Sequence, residues 1–313
     1  MTPLGANEIY GNWATLLLPL NDDDRINYDQ LEDEIDTLIA YGVNGIYSNG
    51  TAGEFYNQSE DEFDRIHEML AIKCNAASMP FQIGCSHMSP RLSLERLQRA
   101  KLLKPSAIQV ILPDWFVPSS SEVITFLTRM AEEADPIKLV LYNPPHAKKC
   151  LLPKDFAEIL RLGIPLVGCK VAGGDEKWYQ AMRELPVPFS IFIPGHKLAT
   201  GIASGAHGAY SNVACLHPGL AQNWYDDIVQ RIGDPFEMQS RIQQFMQQCI
   251  APYIRDRDYA NQAVDKFMAA VGGWTSISTR LRWPYNWIPE GEIQLVRQQC
   301  AELLPEVFVG RNK

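Results

Sequence analysis

Short apolar runs alternate with amphipathic stretches along most of the chain. The runs 13–18, 43–48, 81–85, 107–112, 138–142, 166–171, 189–193 and 206–211 read as strands. Most are apolar at successive positions rather than at every second one, which is how strands buried on both faces of a parallel sheet look. Helical stripes fall between them. Leu31, Ile35, Leu38 and Ile39 share one face, with Gly42 as the stop. Ser59 and Glu62 form a capping box ahead of Phe63, Ile66, Met69 and Leu70. Ser121 leads Ile124, Leu127 and Met130; Pro153 starts a stripe of Phe156, Ile159 and Leu160 that Gly163 ends. Trp178, Met182 and Leu185 give the next stripe, and Leu198 and Ile202 place a short helix in the last interval.

Eight strand–helix units predict an α/β fold, a (β/α)8 TIM barrel over residues 1–225. The remainder, 226–313, carries only helical patterns, read across the junction as 220–232, 235–253, 260–271 and 290–304. It is expected to be a C-terminal helical extension packed on the barrel. A doubly wound open sheet is the main rival. That fold predicts a G-x-G-x-x-G loop after an early strand, which the N-terminal region lacks.

Composition narrows the function classes. Of 313 residues 46% are hydrophobic and 21% charged, ordinary for a globular protein. No apolar run approaches the roughly 18–20 residues of a membrane span, and the start of the chain has no basic, small-residue signal segment. A cytoplasmic protein with no membrane partner is the expectation. A net charge of −9 argues against a nucleic-acid face while leaving room for a local anion site. The seven cysteines are odd in number and form no C-x-x-C pair, so they read as reduced, mostly buried residues. The six histidines show no ligand spacing, so no metal site is expected.

Barrel active sites form at the carboxyl ends of the strands. There the sixth strand ends in Gly168-Cys169-Lys170. A lysine leaving a buried strand is either desolvated, which favours a neutral amine able to attack carbonyls, or just past the strand and reaching solvent. Thr51 sits in a glycine-flanked turn after the second strand, where backbone N–H groups could cradle a carboxylate or simply close a tight loop. Tyr142 ends the fifth strand beside Pro144-Pro145, as an acid–base phenol or as a buried tyrosine with a satisfied hydroxyl.

Taken together these pieces resemble the pyruvate-dependent class I aldolases typified by N-acetylneuraminate lyase and dihydrodipicolinate synthase. Gly50-Thr51-Ala52-Gly53-Glu54 is similar to the family's G-[ST]-T-G-E loop, and Tyr142-Asn143-Pro144 to its Y-N-x-P segment. Gly168-Cys169-Lys170 with Gly174-Asp175 is similar to its G-x-K-x-x-x-G-D strand, and Gly205-Ala206-His207-Gly208 with Asn212 to its G-A-x-G-x-x-S-x-x-N segment. Arg282-Trp283-Pro284 resembles the family's R-x-P, so order and spacing agree from about Gly11 to Arg282.

The resemblance implies a Schiff base on Lys170 with a 2-oxo acid, no metal or organic cofactor, and a homo-oligomer, tetramer or dimer. It implies Lys170, Tyr142 and Thr51 as catalytic residues; Gly50, Ala52, Gly195, His196, Tyr210 and Trp115 are the residues expected to bind substrate. Gly205 and Gly208 would let the eighth strand approach the substrate, or serve packing at the barrel end. The implied activity is a lyase making or breaking a C–C bond with pyruvate as product or donor. A dehydratase of a 3-deoxy-2-oxo sugar acid would use the same lysine, and a catalytically silent 2-oxo acid-binding barrel is the alternative of another class.

Departures bear on the substrate. Ala52 replaces a hydroxyl residue. Asp114-Trp115 stands where dihydrodipicolinate synthases have a tyrosine pair, and His146-Ala147-Lys148 where they have an arginine. His196 and Lys197 replace the acidic residues of neuraminate lyases. Trp115, His196 and His146 are therefore expected to line a distal pocket suited to an aromatic or second-carboxylate tail.

Overall fold

The computed structural model describes residues 1–309; the end of the 226–313 stretch, 310–313, lies outside them. The strands are β1 (Gly11–Thr15), β2 (Gly45–Ser48), β3 (Phe81–Gly84), β4 (Ala107–Val110), β5 (Leu139–Tyr142), β6 (Leu166–Lys170), β7 (Ser190–Pro194) and β8 (Gly208–Tyr210). They close in sequence order into one parallel barrel, with β1 also paired to β8. The intervening helices are α1 (Tyr28–Ala40), α2 (Glu60–Ala77), α3 (Pro90–Leu102), α4 (Ser120–Ala134), α5 (Pro153–Arg161), α6 (Glu176–Arg183) and α7 (Leu198–Ser204). After β8 come α8 (Asn212–Leu216), α9 (Pro218–Gln230), α10 (Pro235–Phe245), α11 (Ala251–Arg255), α12 (Asn261–Gly272) and α13 (Ile293–Leu303). No helix is long and apolar enough to cross a membrane among the described residues.

The continuous apolar runs have a simple cause: the strands bury both faces. Outward-facing Ile46, Ile83, Ile108, Leu141, Cys169 and Ala209 join the large core shared with the helices. Inward-facing Trp13, Tyr47, Val140, Phe192 and Tyr210 form a separate cluster inside the barrel. Its rings pack edge-on or tilted, with Trp13–Tyr210 centroids 6.1 Å apart and Phe192–Tyr210 4.5 Å apart. With a side-chain period of two, residues 140 and 142 share the inner face, as do 168 and 170. Tyr142 and Lys170 are register partners across β5 and β6, so the two side chains emerge side by side above the aromatic plug.

Helix entries follow local chemistry. The Ser59–Glu62 capping box of α2 is present. For α4 the cap is Ser119, which closes a box with Glu122, rather than Ser121. Helix α3 is missing from the pattern reading because its inward face carries Ser93 and a fully buried Arg96 beside Leu97 and Ala100. The Arg96 guanidinium is held by Glu60 and by the carbonyls of Phe55, Ser86 and Gln58. The stretch expected as one helix over 235–253 is two, α10 and α11, joined by a π-helical turn, Met246–Ile250. Pro252 supplies no N–H, and the widened turn accommodates that loss.

Gly205 and Gly208 lie at the end of β8 away from Tyr210, so they do not bring the strand to a substrate. Gly205 is the left-handed cap of α7 at φ +107°. A Cβ at Gly208 would sit 2.1 Å from the Gly11 carbonyl oxygen, so glycine here lets β8 close against β1.

Candidate active site

A cavity of about 610 Å³ opens at the carboxyl ends of the strands. Lys170, Tyr142, Tyr47 and Tyr210 rise into it from the barrel, Thr51 and Ala52 from the turn after β2, and His196 and Lys197 from the turn after β7. The opposite wall belongs to the C-terminal helices: Gln243 of α10, the π turn with Met246, Gln247 and Ile250, Ile254 of α11, and α12. Asn261, Val264, Asp265 and Met268 of α12 line it at the three- and four-residue spacing of one helical face.

Lys170 is the centre of this arrangement. Its Nζ donates to Tyr47 Oη at 3.3 Å and lies 4.3 Å from the Tyr142 ring centroid, 4.8 Å from that of Tyr47 and 5.6 Å from that of Tyr210. Burial by itself pulls the ammonium down; ionised phenols at Tyr47 and Tyr142 and the Asp265 carboxylate pull it up, and with all of them the balance is upward. Burial also pushes the Tyr47 phenol above its ordinary value. At neutral pH that phenol keeps its proton, so its oxygen accepts the Lys170 hydrogen bond without carrying a charge. The anion left to balance the ammonium is Asp265, whose own carboxyl burial pushes up to about 7 against the pull of Lys170.

Beneath the lysine lies a polar layer. Tyr210 Oη donates to Gln82 Oε1 at 2.7 Å, and Gln82 Nε2 reaches Gln109 Oε1 at 3.4 Å. Tyr210 is thereby fixed upright, with a phenol that burial holds well above its ordinary range.

The Thr51 turn is a 3₁₀ helix, Thr51–Gly53, in which the Gly53 and Glu54 N–H groups are already bonded to the Gly50 and Thr51 carbonyls. The N–H groups of Thr51 and Ala52 lead that turn. Glu54, left-handed at φ 52°, turns its carboxylate into the fold, where it meets Lys266 Nζ at 2.7 Å with both side chains fully buried. Lys266 also donates to the Arg280 carbonyl, and Glu54 accepts from the Arg282 N–H. This pair ties α12 to the turn that carries Thr51. Arg282 completes the tie through two 2.8 Å bonds to Glu62.

The residues expected at the site separate into two groups. Lys170, Tyr142, Thr51, Ala52, His196 and Tyr210 share the cavity. Gly50 borders it, since a Cβ there would stand 3.0 Å from the Tyr47 ring and 3.8 Å from Lys170 Nζ. Gly195 lies behind the wall, where a Cβ would meet Ser211 Oγ at 2.3 Å, so it serves packing. Trp115 is elsewhere. It is 69% exposed and lines a different depression with Met88, Phe116 and Val117, while Lys148 Nζ bonds its carbonyl at 3.0 Å. His146 is exposed and also outside the cavity.

His196 is present but not as a cation. Its Nδ1 and backbone N–H meet the Asn212 amide, and burial lowers the imidazole below its ordinary value with Lys197 adding to the effect, against the Asn212 bond. Two residues at the heart of the site, Tyr47 and Asp265, are not among those expected. The signal for Tyr47 is its inward register on β2; for Asp265 it is a carboxylate on an otherwise apolar helical stripe.

Known proteins resemble this chain in sequence and in fold. A model of the dihydrodipicolinate synthetase family matches residues 9–297. A 4-hydroxy-tetrahydrodipicolinate synthase of Methanopyrus kandleri is 28% identical over 223 residues, 70% of this chain and 74% of that protein. Among solved structures, a prophage protein of the dihydrodipicolinic acid synthase family from E. coli K12, YagE, crystallised with pyruvate, superposes with a TM-score of 0.82 at 20% identity, covering 94% of this chain and 98% of the other. A catalytic lysine mutant of the Ruminococcus gnavus sialic acid aldolase superposes with a TM-score of 0.83 at 17% identity, covering 98% and 99%.

Proposed function

Because this chain belongs to the dihydrodipicolinate synthetase family, we propose that it is a class I lyase that forms a Schiff base through Lys170 and makes or breaks a C–C bond with pyruvate as donor or product. The observation that carries the reading is the placement of Lys170: a half-buried amine at the end of β6, bonded to a phenol and facing the cavity that Tyr142 and Thr51 also line.

The chemistry follows from that placement. The Lys170 amine adds to C2 of a 2-oxo acid and water leaves, giving an iminium. The iminium accepts the electron pair released when C3–C4 breaks, or stabilises the C3 carbanion that attacks an aldehyde. The Thr51 hydroxyl and the Thr51 and Ala52 N–H groups hold the substrate carboxylate, which orients C2 toward Lys170. Tyr142, beside Nζ, exchanges a proton with the C4 oxygen.

The cavity is far larger than pyruvate requires, and its outer wall sets the remainder of the substrate. Met246, Ile250, Ile254, Val264 and Met268 are apolar, and Gln243, Gln247 and Asn261 are neutral. His196 is held neutral, and the Lys197 ammonium leans on the Ala172 carbonyl at 3.5 Å. An uncharged, mainly apolar tail, alkyl or aryl, fits this wall better than a polyol or a second carboxylate. The test is a pyruvate-release screen over 4-hydroxy-2-oxo acids. Pyruvate plus an alkyl or aryl aldehyde supports the reading. Loss of water with the carbon skeleton intact assigns a dehydratase instead, and preference for dianionic or polyhydroxyl substrates refutes the apolar tail.

A further inference from the structure

The extension contributes one ionisable group to the cavity wall opposite the barrel, Asp265. Its helix neighbours Asn261, Val264 and Met268 line the same cavity without charge, and the next residue, Lys266, is committed to Glu54 and the Arg280 carbonyl. Among the described residues no group hydrogen-bonds the Asp265 carboxyl. It stays partly accessible because it faces the cavity. The groups whose charge it feels or affects are Lys170 from β6, Tyr47 from β2 and Cys215 from α8. Tyr142, Tyr210, His196 and Lys197 stand on other parts of the wall. A half-buried carboxyl with no hydrogen bond, facing the cavity that Lys170 also lines and coupled to its ammonium by charge, is costly to the fold and calls for a use.

We propose that Asp265 is the proton shuttle of Schiff-base formation at Lys170. The inference rests on Lys170 being the nucleophile. Through water in the shared cavity, the Asp265 carboxylate takes one proton from the Lys170 ammonium and frees the amine. The nitrogen pair forms a bond to C2 while the C2–O π bond breaks, and a second proton passes from nitrogen to that oxygen. The Asp265 carboxylic acid then returns its proton to the C2 hydroxyl, which leaves as water as the C=N bond forms. Two of the three ammonium protons end on water, one stays on the iminium, and the carboxylate is regenerated as the counter-ion of the iminium.

The balance also fixes the pH dependence. With both groups protonated the amine is not released, so the rate rises with pH through the titration of Asp265, which burial places at about 7.

The experiment is a quenched time course of borohydride-trapped pyruvate adduct on Lys170, read by intact mass from pH 5 to 9, for the wild type, Asp265→Asn and Asp265→Glu. The wild type is expected to show a rate that rises through about pH 7. Asp265→Asn is expected to lose that limb and to form the adduct about 10²-fold more slowly, the low end for a general acid–base group, yet reach full labelling on long incubation. Asp265→Glu is expected to keep the limb and recover most of the rate. An Asn variant with an unchanged rate, or a slower one that keeps the limb near pH 7, overturns the shuttle while leaving the lysine chemistry standing. A wild-type protein that forms no adduct overturns the Schiff-base reading and the shuttle with it.

Discussion

Replacing Lys266 by methionine removes one half of a fully buried ion pair and leaves the Glu54 carboxylate with the Arg282 N–H alone. A lone buried carboxylate is costly, and the Arg280 carbonyl loses its donor as well. Breaking a buried ion pair by removing one partner loses about 3–5 kcal/mol. At about 2.1 cal/mol/K per residue of unfolding entropy, that loss lowers Tm by about 5–8 °C. The double variant Glu54→Gln/Lys266→Met buries no charge and recovers at least half of the loss. The assay is a thermal melt of the wild type and both variants at pH 7. A Lys266→Met deficit below about 1 °C, or a double variant no more stable than Lys266→Met, refutes the reasoning.

Further outcomes follow from the same contacts. Tyr142→Phe is expected to lower turnover about 10²–10⁴-fold and Thr51→Val to raise KM for the 2-oxo acid, each with Tm nearly unchanged; full activity in either refutes its assigned role. Ile254→Lys places a charge on the outer wall and is expected to raise KM for an apolar-tailed substrate about 10-fold while leaving pyruvate adduct formation unaltered; equal effects on both contradict the division of the cavity. Glu34 is fully buried, and burial pushes its carboxyl up to about 8, against the Leu17 N–H it accepts from and the charge of Lys266. The folded chain therefore keeps a proton that the unfolded chain releases above about 4.5, and stability falls as pH rises between those values, by up to about 1.4 kcal/mol per pH unit from this group. Glu34→Gln is expected to flatten denaturation midpoints across pH 5–8; a wild-type-minus-variant difference that stays constant over that range refutes it.

The barrel is readable in the chain because strands buried on both faces must be apolar at consecutive positions, and Ile46–Tyr47 or Cys169 beside Lys170 carry that mark. Where burial and ladder part company the reading overshoots: Leu16, Leu17 and Leu18 are buried beyond the end of β1. Helix α3 escapes notice because Arg96 occupies a core position, satisfied by partners far away in sequence. Strand-end chemistry is legible for the same reason the fold is. Lys170, Tyr142 and Thr51 end β5 and β6 or follow β2, and barrel closure brings all three to one cavity. Trp115 follows β4 in the same way yet points to a different depression, because the loop after a strand, unlike the strand itself, has no register to fix its direction. Asp265 is hidden for a different reason. It lies on a helix tied to the turn after β2 by the buried Lys266–Glu54 pair, a contact across 212 residues that no local pattern announces.

A Schiff base is a covalent link, so a covalent trap is its most direct test. The wild-type protein is incubated with pyruvate, reduced with borohydride and digested for peptide mapping. A single pyruvate-derived adduct is expected on Lys170 and is absent from Lys170→Ala. No adduct, or one that persists in Lys170→Ala, rules out the Schiff base at this lysine.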